Sequence, residues 1–151
     1  MTKQQDKTTI TVKAIISAPA SIVWKNWTTP VDIVNWNNAS DDWHTPQAEN
    51  NVCVGGTFNY RMEAKDGSMG FDFEGVYNNV ILHRKIEYTI NDGRKVKILF
   101  SESDNQTEVT ETFEAEETNP VEMQQTGWQA ILDNFKKYVE EKRHNPDYLV
   151  E

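Results

Sequence analysis

Few side chains in this chain are placed to do chemistry, and Glu111 is the first of them. It lies in residues 107–115, where apolar and polar residues alternate, and Val109 and Phe113 fall on its own face. Alternation therefore carries a carboxylate toward the apolar side. A buried carboxylate without a partner is costly, so such a group is paired, protonated or turned to a wet cavity. Facing a pocket, it would orient a ligand hydroxyl or amine, and Glu111→Gln would change affinity with thermal stability nearly unaltered. A bulge or an edge position would instead return it to solvent. The same phase turns Tyr60, Tyr77 and Tyr88 inward, and a buried tyrosine hydroxyl needs a hydrogen-bond partner. Glu111 with one of these tyrosines could serve acid–base chemistry, as in a cyclase or dehydratase, given hydrogen-bond reach to a substrate.

Other chemistries find little support. His44, His83 and His144 are far apart, and with Cys53 they form no metal-binding spacing. There is no Gly-x-Ser-x-Gly elbow, and Gly55-Gly56 enters a strand rather than opening a phosphate-binding helix. Nothing basic near Cys53 would lower its pKa. No catalytic residue, metal or cofactor is assigned, and enzymatic activity stays an open alternative. Lys and Arg number 15 against 24 Asp and Glu, a net charge of -9, which argues against nucleic acid as a partner. No run of 18 apolar residues suggests a membrane span. The polar start MTKQQDKTT has no signal-peptide core, and a lone cysteine cannot form an internal disulfide. A cytoplasmic protein, monomeric or weakly dimeric, is expected.

The elements that would position these groups are legible from periodicity. In residues 119–143, Trp128, Ile131, Leu132, Phe135, Tyr138 and Val139 recur on one helical face. Asn119 at the N-cap, Pro120 at the first helical position and Glu122 read as a capping box, and Asn145-Pro146 would end the helix. The stripe weakens in its first turns, where Met123, Gln124, Thr126 and Gly127 replace large aliphatic residues. Glycine in mid-helix costs about 1 kcal/mol against alanine, so an opening is expected at that end. Ahead of the helix, Ile10, Val12, Ala14 and Ile16 alternate as a strand, and two short helices follow, separated by Thr28-Thr29-Pro30. Residues 37–56 read as loop, with a short strand within 45–50. Four or five antiparallel strands then run to residue 115, joined by turns such as Asp66-Gly67 and Asn91-Asp92-Gly93. Gly75 inside one of them signals a bulge or a close approach. One domain over 9–143, with tails 1–8 and 144–151, is an α+β arrangement in which the sheet's apolar face packs on the helix.

The chain resembles the single-domain homologues of the activator of the heat-shock-protein-90 ATPase, in the START-like (SRPBCC, birch-pollen-allergen-like) superfamily. The matching pieces are Ala18-Pro19 leading to Val23-Trp24, Trp36, Val54-Gly55-Gly56-Thr57-Phe58, Gly75-Val76-Tyr77 and Thr107-Glu108-Val109-Thr110. Most specific is Gly127-Trp128 followed by Ile131-Leu132-Asp133-Asn134-Phe135. The resemblance implies the helix-grip fold, a curved antiparallel sheet wrapped around a long C-terminal helix, with two short helices after the first strand. It implies either a carrier-like pocket or a chaperone-cofactor or stress-response role. Larger chaperone activators carry a further domain ahead of this one, and 151 residues leave no room for it.

The resulting expectation is non-enzymatic binding of a small lipid-like or aromatic molecule between sheet and C-terminal helix. Met123, Trp128 and Leu132 would form the helix wall. Phe58, Tyr60, Met62, Phe71, Phe73 and Tyr77 would form the sheet wall, together with Tyr88, Phe100 and Glu111. Trp36 would brace the short helices beside it, while Trp43 and His44 are either a cavity mouth or simply exposed. The alternative partner is a heat-shock chaperone, met by the acidic outer face of Glu63, Asp72 and Glu74.

Overall fold

The computed structural model describes residues 8–143. The expected helix stop at Asn145-Pro146, the position of His144 and most of both tails lie outside these residues. The order is β1 (Thr9–Ile16), α1 (Ala20–Thr28), α2 (Pro30–Trp36), β2 (Trp43–Asn50), β3 (Thr57–Ala64), β4 (Gly70–Ile81), β5 (Lys85–Ile90), β6 (Lys95–Ser103), β7 (Gln106–Glu114) and α3 (Val121–Arg143). All seven strands join one antiparallel sheet in the order β1-β7-β6-β5-β4-β3-β2. The sheet curls around α3 as a half-barrel, with the two short helices after β1 at one end: the helix-grip α+β fold.

Six strands follow the short helices: β2, where a short strand is expected within 45–50, and then five more, within the four or five expected to run to residue 115. Strand β2 is longer than expected, starting at Trp43, although its WHTPQAEN sequence does not alternate and its pairing with β3 shifts between His44 and Gln47. It is an edge strand, where proline at position 46 is tolerated. Pairing of β1 with β7 joins residues about a hundred apart, Val12 lying opposite Glu111.

Local chemistry accounts for the joints. Asp104 and Asn105 both take positive φ, 54° and 63°, as the tight turn between β6 and β7 requires of its two central residues. At Gly75 an added Cβ would lie 2.5 Å from the Thr89 carbonyl oxygen and 2.9 Å from Phe58 Cε2. Close approach is therefore the reason for this glycine. The register break in β4 comes later, between Tyr77 and Asn79. Helix α3 starts one residue later than the capping pattern suggests. The Pro120 carbonyl accepts the Met123 and Gln124 amides, and the Asn119 side chain donates to Glu116.

The helix also closes a sheet edge. Gln129 Nε2 donates to the Lys13 carbonyl at 2.9 Å, and Lys136 Nζ to the Ile15 carbonyl at 2.6 Å. An edge strand that would otherwise present free backbone groups is thus covered.

Packing differs between the two halves of α3. In the C-terminal half, Leu132, Phe135 and Val139 are fully buried. Phe135 meets Trp27 and Trp36 edge-on, with ring centres 4.9 and 4.8 Å away, and those two indoles stack on each other. Buried Asp32 accepts the Tyr138 hydroxyl at 2.6 Å and pairs with Lys142 Nζ at 2.7 Å, which ties that half to α2. In the first two turns of α3, Gln124 alone is buried. Its amide is used up locally, donating to the Glu116 and Asn119 carbonyls and accepting the Glu116 amide. One end of the helix is bolted down, and the other spans a gap.

Candidate functional site

The gap is a cavity of about 240 Å³ between the N-terminal half of α3 and the concave face of the sheet. Strand β3 contributes Phe58, Tyr60 and Met62, all turned inward by alternation. Strand β4 contributes Phe71, Phe73 and Tyr77, and β5 contributes Ile86 and Tyr88. Trp27 and Trp36, from the short helices, form the end wall. On the helix side stand Trp128 and Ile131. Trp128 is held by stacking on Phe113, 3.8 Å between ring centres and 12° between planes.

Three residues expected in the walls lie elsewhere. Phe100 packs on Trp24 and Trp27 in the solid part of the core. Leu132 is fully buried in the bolted half of α3 and does not line the gap, although its neighbour Ile131 does. Met123 is 59% exposed on the outside of the first turn. Phe71 lies on the wall but is nearly half exposed, at the rim, with Trp43 packed on it. His44 is half exposed and sits 3.8 Å from Glu63, away from the cavity. His83 packs its ring against Trp24, and Cys53 is exposed.

The polar groups at the cavity are few. Tyr77 donates its hydroxyl proton to Asn50 Oδ1, and the Asn50 amide is itself fixed to the Thr28 carbonyl at 2.8 Å. Burial pushes the Tyr77 phenol up to about 12 and raises those of Tyr60 and Tyr88 well above their ordinary value. For Tyr88 the second cause is the neighbouring Glu111. Glu111 is 4% exposed and forms part of the cavity wall. It has no hydrogen-bond or ion-pair partner among the described residues, and burial alone pushes its carboxyl up to about 8. No fully occluded side-chain polar atom among the described residues lacks a partner, so the Glu111 oxygens open onto the cavity. Burial thus favours the neutral carboxyl, which is available to whatever occupies that space.

Sequence reasoning missed Trp27, Asn37, Ile86, Arg94, Glu116, Gln124 and Ile131, which also border the cavity. Ile86 was in phase with Tyr88 and could have been read as wall. The others belong to helices, turns and a connecting segment, where alternation gives no direction. Arg94 is held by Asp92 at 2.9 Å and donates to the Glu114 carbonyl. Among the described residues no cluster of His, Cys, Asp or Glu is arranged to hold a metal.

The sequence profile described as "Activator of Hsp90 ATPase homolog 1-like protein" matches residues 17–140. The chain belongs to this family. Its membership agrees with the START-like superfamily that the sequence resembles. A solution structure of an AHSA1-like protein from Aeromonas hydrophila is similar at 42% identity and a TM-score of 0.85, over 92% of this chain and 96% of that one. A protein from Cytophaga hutchinsonii is 50% identical with a TM-score of 0.75, over 92% and 95% of the two chains. At 14% identity, a Nitrosomonas europaea protein shares the fold, with a TM-score of 0.77. No curated protein matches in sequence. The family's fold supports a ligand-binding or cofactor-type domain, and no described helix is long and apolar enough to cross a membrane.

Proposed function

We propose that this protein binds a small, largely apolar molecule in the cavity beneath the first half of α3, without chemical conversion. The observation that carries this reading is Glu111. A carboxyl almost wholly buried, without a protein partner and open to an aromatic-walled space, is costly for the fold. A ligand's polar group repays that cost, while the rings of Phe58, Tyr88 and Trp128 bury its apolar body. A weak helix stripe over the gap, with Gly127 facing open space, suits entry from that side. The single exposed cysteine suits a reducing compartment, and a cytoplasmic location is part of the proposal.

Amide chemical-shift mapping against a set of small hydrophobic compounds tests the reading. Shifts clustered on Phe58, Tyr88, Glu111 and Trp128 are expected; shifts scattered over the convex face would end it. The family description carries a second reading, a chaperone cofactor acting through the outer sheet face. Arg61 partly neutralises that face, 2.9 Å from Glu63 and 3.6 Å from Asp72, which favours the cavity. Stimulation of the cognate chaperone's ATPase would reverse the order.

A further inference from the structure

The groups around Glu111 narrow the ligand's chemistry. Tyr77 gives its proton to Asn50, which leaves its oxygen as an acceptor beside Tyr60. What Tyr77 leaves for a ligand is a lone pair, and the Tyr60 oxygen beside it also has lone pairs to offer. Glu111 adds a carboxyl, 4% exposed and without a protein partner, which offers two more acceptor oxygens once it gives up its proton. Phe58, Tyr88, Phe73 and Trp128 surround the same space with rings. Acceptors without a matched cation, inside an aromatic box, are the complement of an organic ammonium group.

Resting on the cavity reading above, we propose that the ligand carries a protonated amine on its apolar body, seated against Glu111. Its N–H groups meet the carboxylate and the tyrosine oxygens, and its positive charge meets the ring faces. The proton balance follows. The amine enters as a cation and keeps its proton, and Glu111, neutral in the empty cavity at pH 6.5, releases its own to solvent.

The other titratable or charged groups at the cavity do not displace this assignment. Tyr60, Tyr77 and Tyr88 stay neutral across this range, raised by burial. Arg94 is engaged by Asp92, and Glu116 by Asn119. The strand neighbours of Glu111 are Val12 on β1 and Ile98 on β6, and α3 presents Gln124, Trp128 and Ile131. None of these titrates.

The test compares tryptamine with its neutral counterpart 3-(2-hydroxyethyl)indole, by amide shifts and by calorimetry at pH 6.5 in buffers of different ionisation enthalpy. The amine is expected to bind about tenfold tighter and to release close to one proton per ligand. Both signatures are expected to vanish in Glu111→Gln, whose fold the amide spectrum checks. Equal affinities without proton release, with shifts still on the cavity residues, overturn the ammonium and leave the cavity reading standing. An amine preference retained in Glu111→Gln also overturns it. No shift on cavity residues with either compound overturns both readings.

Discussion

Replacing Glu111 by glutamine should make the protein more stable, by an amount that grows with pH. Glutamine keeps the shape and one acceptor but has no charge to bury. In the unfolded chain Glu111 ionises near its ordinary 4.5, whereas burial holds it protonated in the native state to about 8. Between these values the native state binds more protons, so raising the pH favours unfolding. The stability associated with this proton is complete below pH 4.5 and is lost as the pH rises toward 8. At about 1.4 kcal/mol per pH unit, the loss reaches about 3 kcal/mol at pH 7 and about 5 kcal/mol above pH 9. Glu111→Gln escapes it. Water entering the cavity screens part of the effect, so a gain of about 2 kcal/mol at pH 7 meets the expectation. Near-unaltered stability, the expectation from sequence, holds only near pH 4. Urea unfolding of both proteins at pH 4.5, 6, 7.5 and 9, followed by tryptophan fluorescence, gives the difference directly and cancels the titration of the other carboxylates. A variant equal to or less stable than the parent at every pH would refute the reasoning.

The two halves of α3 should respond differently to truncation. Leu132→Ala, in the solid half, should cost about 2–5 kcal/mol, and Met123→Ala, on the exposed first turn, within about 0.5 kcal/mol; chemical denaturation of the pair checks this. Gly75→Ala forces a Cβ against the Thr89 carbonyl and the Phe58 ring and should lower stability by about 1–3 kcal/mol, measured by the shift in urea midpoint. Tyr77→Phe leaves Asn50 Oδ1 without its donor, for an expected loss of about 1–3 kcal/mol by thermal or urea unfolding. An unchanged midpoint would mean that water replaces the hydroxyl.

Alternation and helical periodicity made the concave face legible. Phe58, Tyr60 and Met62 on β3, and Val109, Glu111 and Phe113 on β7, point where their phase says. Even the inward carboxylate could be read this way, because β7 runs without a bulge between β1 and β6. Phase gives a face but no position along the axis. Leu132 and Phe100 share the apolar face with Trp128 and Tyr88, yet they lie at the filled end of the fold. Strand β2 is legible only as a short strand, because an edge strand with proline and a register shift has no alternation to mark its bounds. Trp27 was readable as an apolar helix residue, while its place in the cavity wall depends on how α1 docks. The pairing of β1 with β7 is likewise set by closure of the whole sheet, which no local window contains.

The hollow beneath α3 is best tested by following indole N–H signals under xenon pressure, since an apolar-walled void takes up xenon. Trp27, Trp36 and Trp128 line the cavity, while Trp24 and Trp43 do not. Shifts confined to the first three are expected. Five unmoved indole signals would mean that side chains fill the space, and the binding site proposed here would not exist.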